Sequence, residues 1–387
     1  MFHPSCIMFV PDDTARTFLP QPLMLTQVAG APLLWHLSRS LAEGGVNRVF
    51  LVCHGQYLDA AKALFPEEIC LTASDDEAAA DLLHVFLSTD ESETDRVGVI
   101  TGPGVILPGA EADDPTCALT ISREELMQAL DEDIPFDAFL RENGRIANRE
   151  MNLYPVQSAE DLLALQGVLQ RRTLEALIRG GVRIQDPACC TVAPTAHIGR
   201  GTELLPGAMI LGQSVIGEDC RIGPDARIID SRLGSGCTAS DSTVEHSTLG
   251  AHCAVGPYAV VRMSNLGEGC RVGSFAEVER STLHDGVQVP RLAYIGDTEA
   301  GREAYFGAMS VTANFDRAAF HKTEVGDGAF VGAGVQLVAP VQVGDGAYLA
   351  AGSTVTEAVP AQALSVERGR QSAKKEWAAK HKLEETS

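Results

Sequence analysis

The chain has 387 residues, 45% of them hydrophobic, and a formal charge of −22. That size and core fraction suit a globular protein of two domains, while an acidic excess repels phosphate backbones and argues against nucleic acid as a partner. No apolar run reaches the length of a membrane span, and the start, MFHPSCIMFVPDD, lacks a basic n-region and a small-residue cleavage site, so the expectation is a cytoplasmic protein without a signal peptide.

Residues 1–155 read as an α/β domain. Cys6–Val10, Val49–Cys53 and Val97–Thr101 are short apolar runs of strand length. Between the first two, Pro32–Glu43 has helical apolar spacing and stops at Gly44-Gly45. Strands alternating with helices predict a partly parallel sheet. Ala110–Pro115 is acidic and loop-like. A linker helix is expected over 158–181, with Ser158 as N-cap, Asp161 three residues on, and Gly180-Gly181 as its end.

From about 184 to 358 the period changes to six. Apolar residues stand at Val192, Ile198, Leu204, Ile210, Ile216, Ile222 and Ile228, and after five-residue steps the pattern resumes through Leu233, Val244, Leu249, Val255, Val261 and onward to Val355. A helix needs a period near 3.6 and an ordinary strand a period of 2. Six is the hexapeptide signature of a parallel β-helix, in which three hexads complete a triangular coil and stacked coils share one core. Cys220, Cys237, Cys253 and Cys270 lie 17, 16 and 17 residues apart and each follows an inward residue by four, so they are expected to stack. A small buried side chain explains them better than a metal ladder, and free thiols in that role suit a reducing cytoplasm. Residues 359–387 form a tail that turns basic in QSAKKEWAAKHKL, read as a short capping helix or an arm reaching a neighbouring subunit.

The segments STVEHSTLGAHCAVGPYAVVR, LAYIGD, HKTEVGDGAFVGAG, LVAPVQVGDGAYLAAGSTVT and RQSAKKEW closely resemble the acetyltransferase half of the bacterial bifunctional N-acetylglucosamine-1-phosphate uridyltransferase/glucosamine-1-phosphate N-acetyltransferases, the GlmU family. The resemblance implies a left-handed β-helix, a homotrimer, acetyl-CoA as acyl donor with sites between subunits, small-molecule substrates, and a place in amino-sugar metabolism.

The amino-terminal half resembles the family weakly. In place of its nucleotide loop stands VPDDTART followed by LPQP: Arg16 is kept, the glycines are gone, and Gln21 replaces the family's Lys. A phosphate cradle needs backbone N–H groups and a positive charge; Pro11 removes a donor, and Asp12 and Asp13 oppose a triphosphate. Gly102-Pro103 stands where the family has its Gly-Asp metal position, so Mg²⁺ binding and uridyl transfer are not expected and the domain is read as degenerate.

In the acetyltransferase half, the family's general-base His is replaced by Arg291, which stays protonated and cannot act as a base. His321 is the candidate substitute. Arg262 and Tyr294 match substrate-binding positions, Tyr305 replaces a substrate Asn, Glu279 replaces a Lys, and Phe320 replaces another Lys. The acyl-CoA positions carried over are Asn314, Phe315, Ala333, Ala351, Arg368 and Lys374. The expected function is acyl-CoA-dependent acyl transfer to a sugar phosphate or sugar nucleotide. The alternative is a catalytically inactive paralogue acting as a metabolite-binding or assembly partner.

Overall fold

The computed structural model describes residues 2–75, 79–90, 92, 94–106, 118–132, 134–143, 145–146 and 153–377. The acidic segment 110–115 and the end of the basic tail lie outside these residues. The chain divides into two compact units: one holds the chain up to Thr173 together with Val192–Thr195, the other Leu174–Thr191 and the chain from Ala196.

The first unit is built on a six-stranded sheet in the order Cys70–Ser74, Arg48–Cys53, Ser5–Val10, Arg96–Ile100, Ala118–Ser122, Arg145–Ile146. The first four strands run parallel and the last two antiparallel. Alternation along Ser5–Val10 sends Cys6, Met8 and Val10 into one core and Ile7 into the other, which is why these strands read as unbroken apolar runs. Helix Leu33–Glu43 packs Leu33, Leu34, Leu37 and Leu41 into the first core and ends at Gly44, with Gly45 at φ +96. Asp90, almost fully buried, closes the other core's rim. It accepts from Ser5 Oγ at 2.7 Å and from the Ser92 N–H at 3.0 Å, and it pairs with Arg48 at 3.2 Å and Arg123 at 3.6 Å.

The helix expected at 158–181 spans Ala159–Arg179. Its capping box is complete: Ser158 Oγ accepts the Asp161 N–H at 3.2 Å, and Asp161 Oδ2 accepts the Ser158 N–H at 2.9 Å. Leu162, Leu165 and Leu169 join the first unit's core.

The second unit is a parallel β-helix. Its three faces hold 11, 10 and 9 strands, and each strand pairs with the strand one coil away. The first face runs from Arg183–Ile184 to Leu364–Ser365, the second from Thr191–Val192 to Thr354–Val355, the third from His197–Ile198 to Val341–Val343. The six-residue apolar row forms the buried interior as the sequence predicts. Coils stack so closely at the corners that a Cβ on Gly217 would lie 2.6 Å from the backbone nitrogen of Ser235, hence the recurring Gly.

Two internal ladders tie the coils. The four cysteines stack as expected, all buried, and their thiols donate to carbonyls of the next coil: Cys220 to Gly234, Cys237 to Gly250, Cys253 to Gly267 and Cys270 to His284, at 3.1–3.2 Å. A second ladder runs through Ser214, Ser231, Ser247, Ser264, Ser281 and Thr298. Each Ser hydroxyl accepts the backbone N–H of the next member at 3.0–3.3 Å.

Large apolar residues also stand outside. At the corner after the first face, Tyr258, Phe275, Leu292 and Met309 occupy successive coils, each 52–60% exposed and each at positive φ. On the first face, Tyr305, Phe330 and Tyr348 form an outward ring stack with centroids 5.2 and 4.6 Å apart. The tail has no regular element from Val366 to Lys374, and the end of the basic segment read as a capping helix or an arm lies outside the described residues.

Candidate functional site

The long insertion in the six-residue pattern is the segment between strands Val311–Ala313 and Thr323–Val325. It leaves the corner after the second face, and the coil beneath is charged there. Outward positions on the second face carry Glu245, Arg262 and Glu279 in one row and Glu277 and Tyr294 in the other. Arg262 Nη2 lies 2.6 Å from Glu277 Oε1, while its buried Nε has no partner. Arg280, at the corner, grips Asp297 with two bonds of 2.9 Å and lies 2.6 Å from Glu279. This bidentate guanidinium holds the Asp297 carboxyl below the usual carboxylate range, and Asp297 raises Arg280 further in return.

The inserted loop is pinned to that network. Asn314 is buried and donates through Nδ2 to Asp297 Oδ2 at 2.5 Å. The Phe320 ring lies under Arg280, with the guanidinium carbon 4.5 Å from its centroid, and Phe315 packs on Phe320 at 4.7 Å. Asp316 accepts the N–H groups of Ala318 and Ala319 at 2.8 Å and meets His321 Nε2 at 2.8 Å, so its carboxyl is held well below its ordinary value by these bonds. The His321 backbone N–H in turn donates to the Asn314 carbonyl at 2.7 Å. Tyr294 reaches Glu279 through its hydroxyl at 3.2 Å, and burial with the nearby carboxylate raises its pKa. A cavity of about 330 Å³ opens beside the loop, lined by Arg280, Asp297, Glu299, Phe320, His321 and Lys322 among others. Lys322 is paired with Glu299 at 2.6 Å.

The remaining candidates lie one face away. Arg291 ends strand Gln288–Arg291 at the corner after the first face, exposed, with no ion-pair partner among the described residues. The same corner column continues through Ala308, Ala333 and Ala351, linked by backbone bonds from Met309 to Arg291, Gly334 to Ala308 and Gly352 to Ala333. Arg368 Nη1 donates to the Ala351 carbonyl at 2.9 Å, so these two come together. Tyr305 stands on the first face in the ring stack, and Lys374 is exposed on the tail. Within one chain, then, Arg262, Tyr294, Asn314, Phe315 and His321 gather at one corner, and Arg291, Ala333, Ala351 and Arg368 at another.

The amino-terminal loop is held by its own polar groups, with Asp13 Oδ2 buried and left without a partner among the described residues. Asp12 accepts from the N–H and hydroxyl of Thr14 at 3.1 and 2.6 Å, Asp13 accepts the Leu23 N–H at 3.0 Å, and Gln21 Nε2 donates to the Leu25 carbonyl at 2.6 Å. Arg16 sits in the four-residue helix Thr14–Thr17.

Sequence reasoning missed the Asp316–His321 pair, the Arg280–Asp297 clamp and the serine ladder. The ladder was readable from the spacing of Ser214, Ser231, Ser247 and Ser264, which repeats the arithmetic of the cysteines. The clamp was not, because Arg280 and Asp297 meet only when coils stack.

Residues 221–313 match the family model for the GlmU-like C-terminal hexapeptide, and residues 195–230 and 322–357 match that for the bacterial transferase hexapeptide. The bifunctional protein GlmU of Caldanaerobacter subterraneus subsp. tengcongensis is 41% identical over 60% of this chain and 51% of its own length. That of Thermoanaerobacter pseudethanolicus is 40% identical over 57% and 49%. The chain therefore spans about half the length of the curated relatives it matches. Among solved structures, an Arabidopsis UDP-N-acetylglucosamine acyltransferase is similar at 14% identity over 46% of this chain and 69% of its own, with a TM-score of 0.26. No helix among the described residues is long and apolar enough to cross a membrane, and no group of three His, Cys, Asp or Glu among them is placed to hold a metal ion. The three-faced prism of residues 183–365 is thus a left-handed hexapeptide β-helix, and through it the chain is similar to GlmU proteins over about half their length.

Proposed function

We propose that this chain is an acyl-CoA-dependent N-acyltransferase of amino-sugar metabolism that acts on a sugar acceptor and has lost uridyl transfer. The observation that carries the reading is the corner where Arg368 meets the Ala351 carbonyl. The small side chains of Ala333 and Ala351 are exposed there, and in a chain of charge −22 a polyphosphorylated donor needs a local cation. Acetyl-CoA is the donor we assign, with Lys374 as a second cation and Asn314 and Phe315 of the inserted loop as further contacts.

In the reaction the acceptor amine nitrogen attacks the thioester carbonyl carbon. The C–N bond forms, the C–S bond breaks, the amine proton passes to a base, and the CoA thiolate leaves and takes up a proton. Arg291 cannot be that base. His321 can: with Nε2 held by Asp316, Nδ1 is left as the acceptor. The two corners are brought together by packing copies of the chain, and we infer a homotrimer. The apolar corner row of Tyr258, Phe275, Leu292 and Met309 supports this, since covering it offsets both its exposure and its left-handed backbone. Loss of uridyl transfer is supported by Asp12 and Asp13 taking up backbone donors that a phosphate would use, and Pro103 leaves no carboxylate for Mg²⁺. Unpaired buried thiols suit a cytoplasmic location. An inactive paralogue is the second reading, favoured by Arg291 alone.

Calorimetry with acetyl-CoA tests the proposal. Micromolar to submillimolar binding that weakens with salt and drops at least tenfold in Arg368→Ala/Lys374→Ala is expected. Absence of binding at millimolar ligand, or an unaffected double variant, would overturn it.

A further inference from the structure

We infer that Glu277 and Glu279 are specificity-determining residues that select an unphosphorylated amino sugar as acceptor. This rests on the acyltransferase reading above.

A sugar phosphate needs an open guanidinium or ammonium fork. The second-face corner has two guanidiniums, and carboxylates of the chain already engage both, Arg280 fully and Arg262 through one nitrogen. Glu277 takes Arg262 at 2.6 Å. Glu279 and Asp297 take Arg280 from two sides, at 2.6 Å and through two bonds of 2.9 Å, and Phe320 covers its face. Lys322, the nearest ammonium on the loop, is held by Glu299 at 2.6 Å. Counting Glu277, Glu279 and Asp297 against Arg262 and Arg280, three carboxylates face two cations, a formal −1. A phosphate dianion arriving there meets net repulsion, and it must displace a paired carboxylate before it can hold Arg280 or take Arg262 through Nη2.

The same groups fit the opposite chemistry. The Tyr294 hydroxyl and the carboxylate oxygens of Glu277 and Glu279 are what hydroxyl groups and an amine bind, and the exposed ring of Phe315 offers an apolar surface for the C–H side of a sugar ring. A sugar bearing hydroxyls and an amine, with no phosphate, matches this surface in charge and in hydrogen-bonding groups.

The test measures acetyl transfer by mass spectrometry with saturating acetyl-CoA and, as acceptors, glucosamine and glucosamine 1-phosphate. Wild-type kcat/KM is expected to favour glucosamine at least tenfold. In Glu277→Gln/Glu279→Gln, the KM for the phosphate should fall about tenfold with kcat little changed, because the freed guanidiniums bind ground state and transition state alike. A structural role for the two glutamates would lower kcat for both acceptors together. The inference is overturned if the wild type prefers the phosphate, if neither acceptor reacts although acetyl-CoA binds, or if the double variant leaves the ratio unmoved. Should the double variant fail to fold, the wild-type ratio still decides. If acetyl-CoA does not bind at all, the acyltransferase reading fails and this inference with it.

Discussion

Replacing Asp297 by Asn should loosen the inserted loop while leaving the prism intact. Asp297 accepts two Arg280 bonds at 2.9 Å and one from Asn314. Asn keeps one acceptor oxygen and turns an N–H toward a guanidinium N–H, so one charge-assisted bond is lost and another weakened. Such bonds contribute about 1.5–3 kcal/mol each, but both side chains are partly in solvent and screening lowers the figure. About 1.5 kcal/mol remains, which is roughly tenfold in the opening equilibrium. Hydrogen exchange of a peptide covering 314–323 should therefore quicken about tenfold, with peptides of the second-face interior unchanged. The pH dependence follows the same bond. Arg280 lowers the Asp297 carboxyl, so its contribution is fully present above the unfolded value near 3.9 and is lost as pH falls through the lower folded value. Wild-type loop exchange, corrected for intrinsic chemistry, should rise only below about pH 4. Equal exchange in variant and wild type would show that the phenylalanine pair alone holds the loop.

Asp90→Asn should destabilise the α/β unit by about 2–3 kcal/mol, since it weakens a buried carboxylate facing Arg48 and Arg123; urea unfolding of that unit checks it. Ser158→Ala should cost about 1 kcal/mol of the same transition, by loss of the cap on Asp161. In the native protein a thiol reagent should label the exposed Cys70 and Cys189 and spare Cys220, Cys237, Cys253 and Cys270 until denaturant is added; rapid labelling of the latter four would mean that the coils open locally.

The prism was legible because its code is local. One inward residue in six, a Gly at the tight stack and a small residue at the cysteine row suffice to set each coil, and each is visible in a window shorter than 20 residues. The linker helix was legible for the same reason, with both halves of its capping box within four residues. The amino-terminal sheet was read only in part. Strands Cys70–Ser74 and Ala118–Ser122 mix small and polar residues, and pairing with a neighbouring strand, rather than pattern, makes them strands. The site was legible in its parts list and not in its connections. Glu277 gave no sign in sequence that it would neutralise Arg262, because partners 15 residues apart become neighbours only after a full turn of the coil.

The serine ladder has a consequence for how such a chain can change length. Ser231, Ser247, Ser264 and Ser281 are reached after 16, 17 and 17 residues, yet each offers its hydroxyl to the next in the same way, so the extra residue is taken up elsewhere in the turn. The rung, not the residue, is the unit of inheritance. Excising 232–247 would bring Ser231 to the place of Ser247, where it would receive the Ser264 N–H, and the prism would shorten by one rise of about 4.8 Å with every inward residue still inward. Whole rungs below the loop can be gained or dropped like courses of brick, while the stretch from Arg262 to Lys322 stays a fixed block. Length in this architecture is therefore a freely adjustable spacer, and chemistry is confined to the few rungs whose outer groups touch each other.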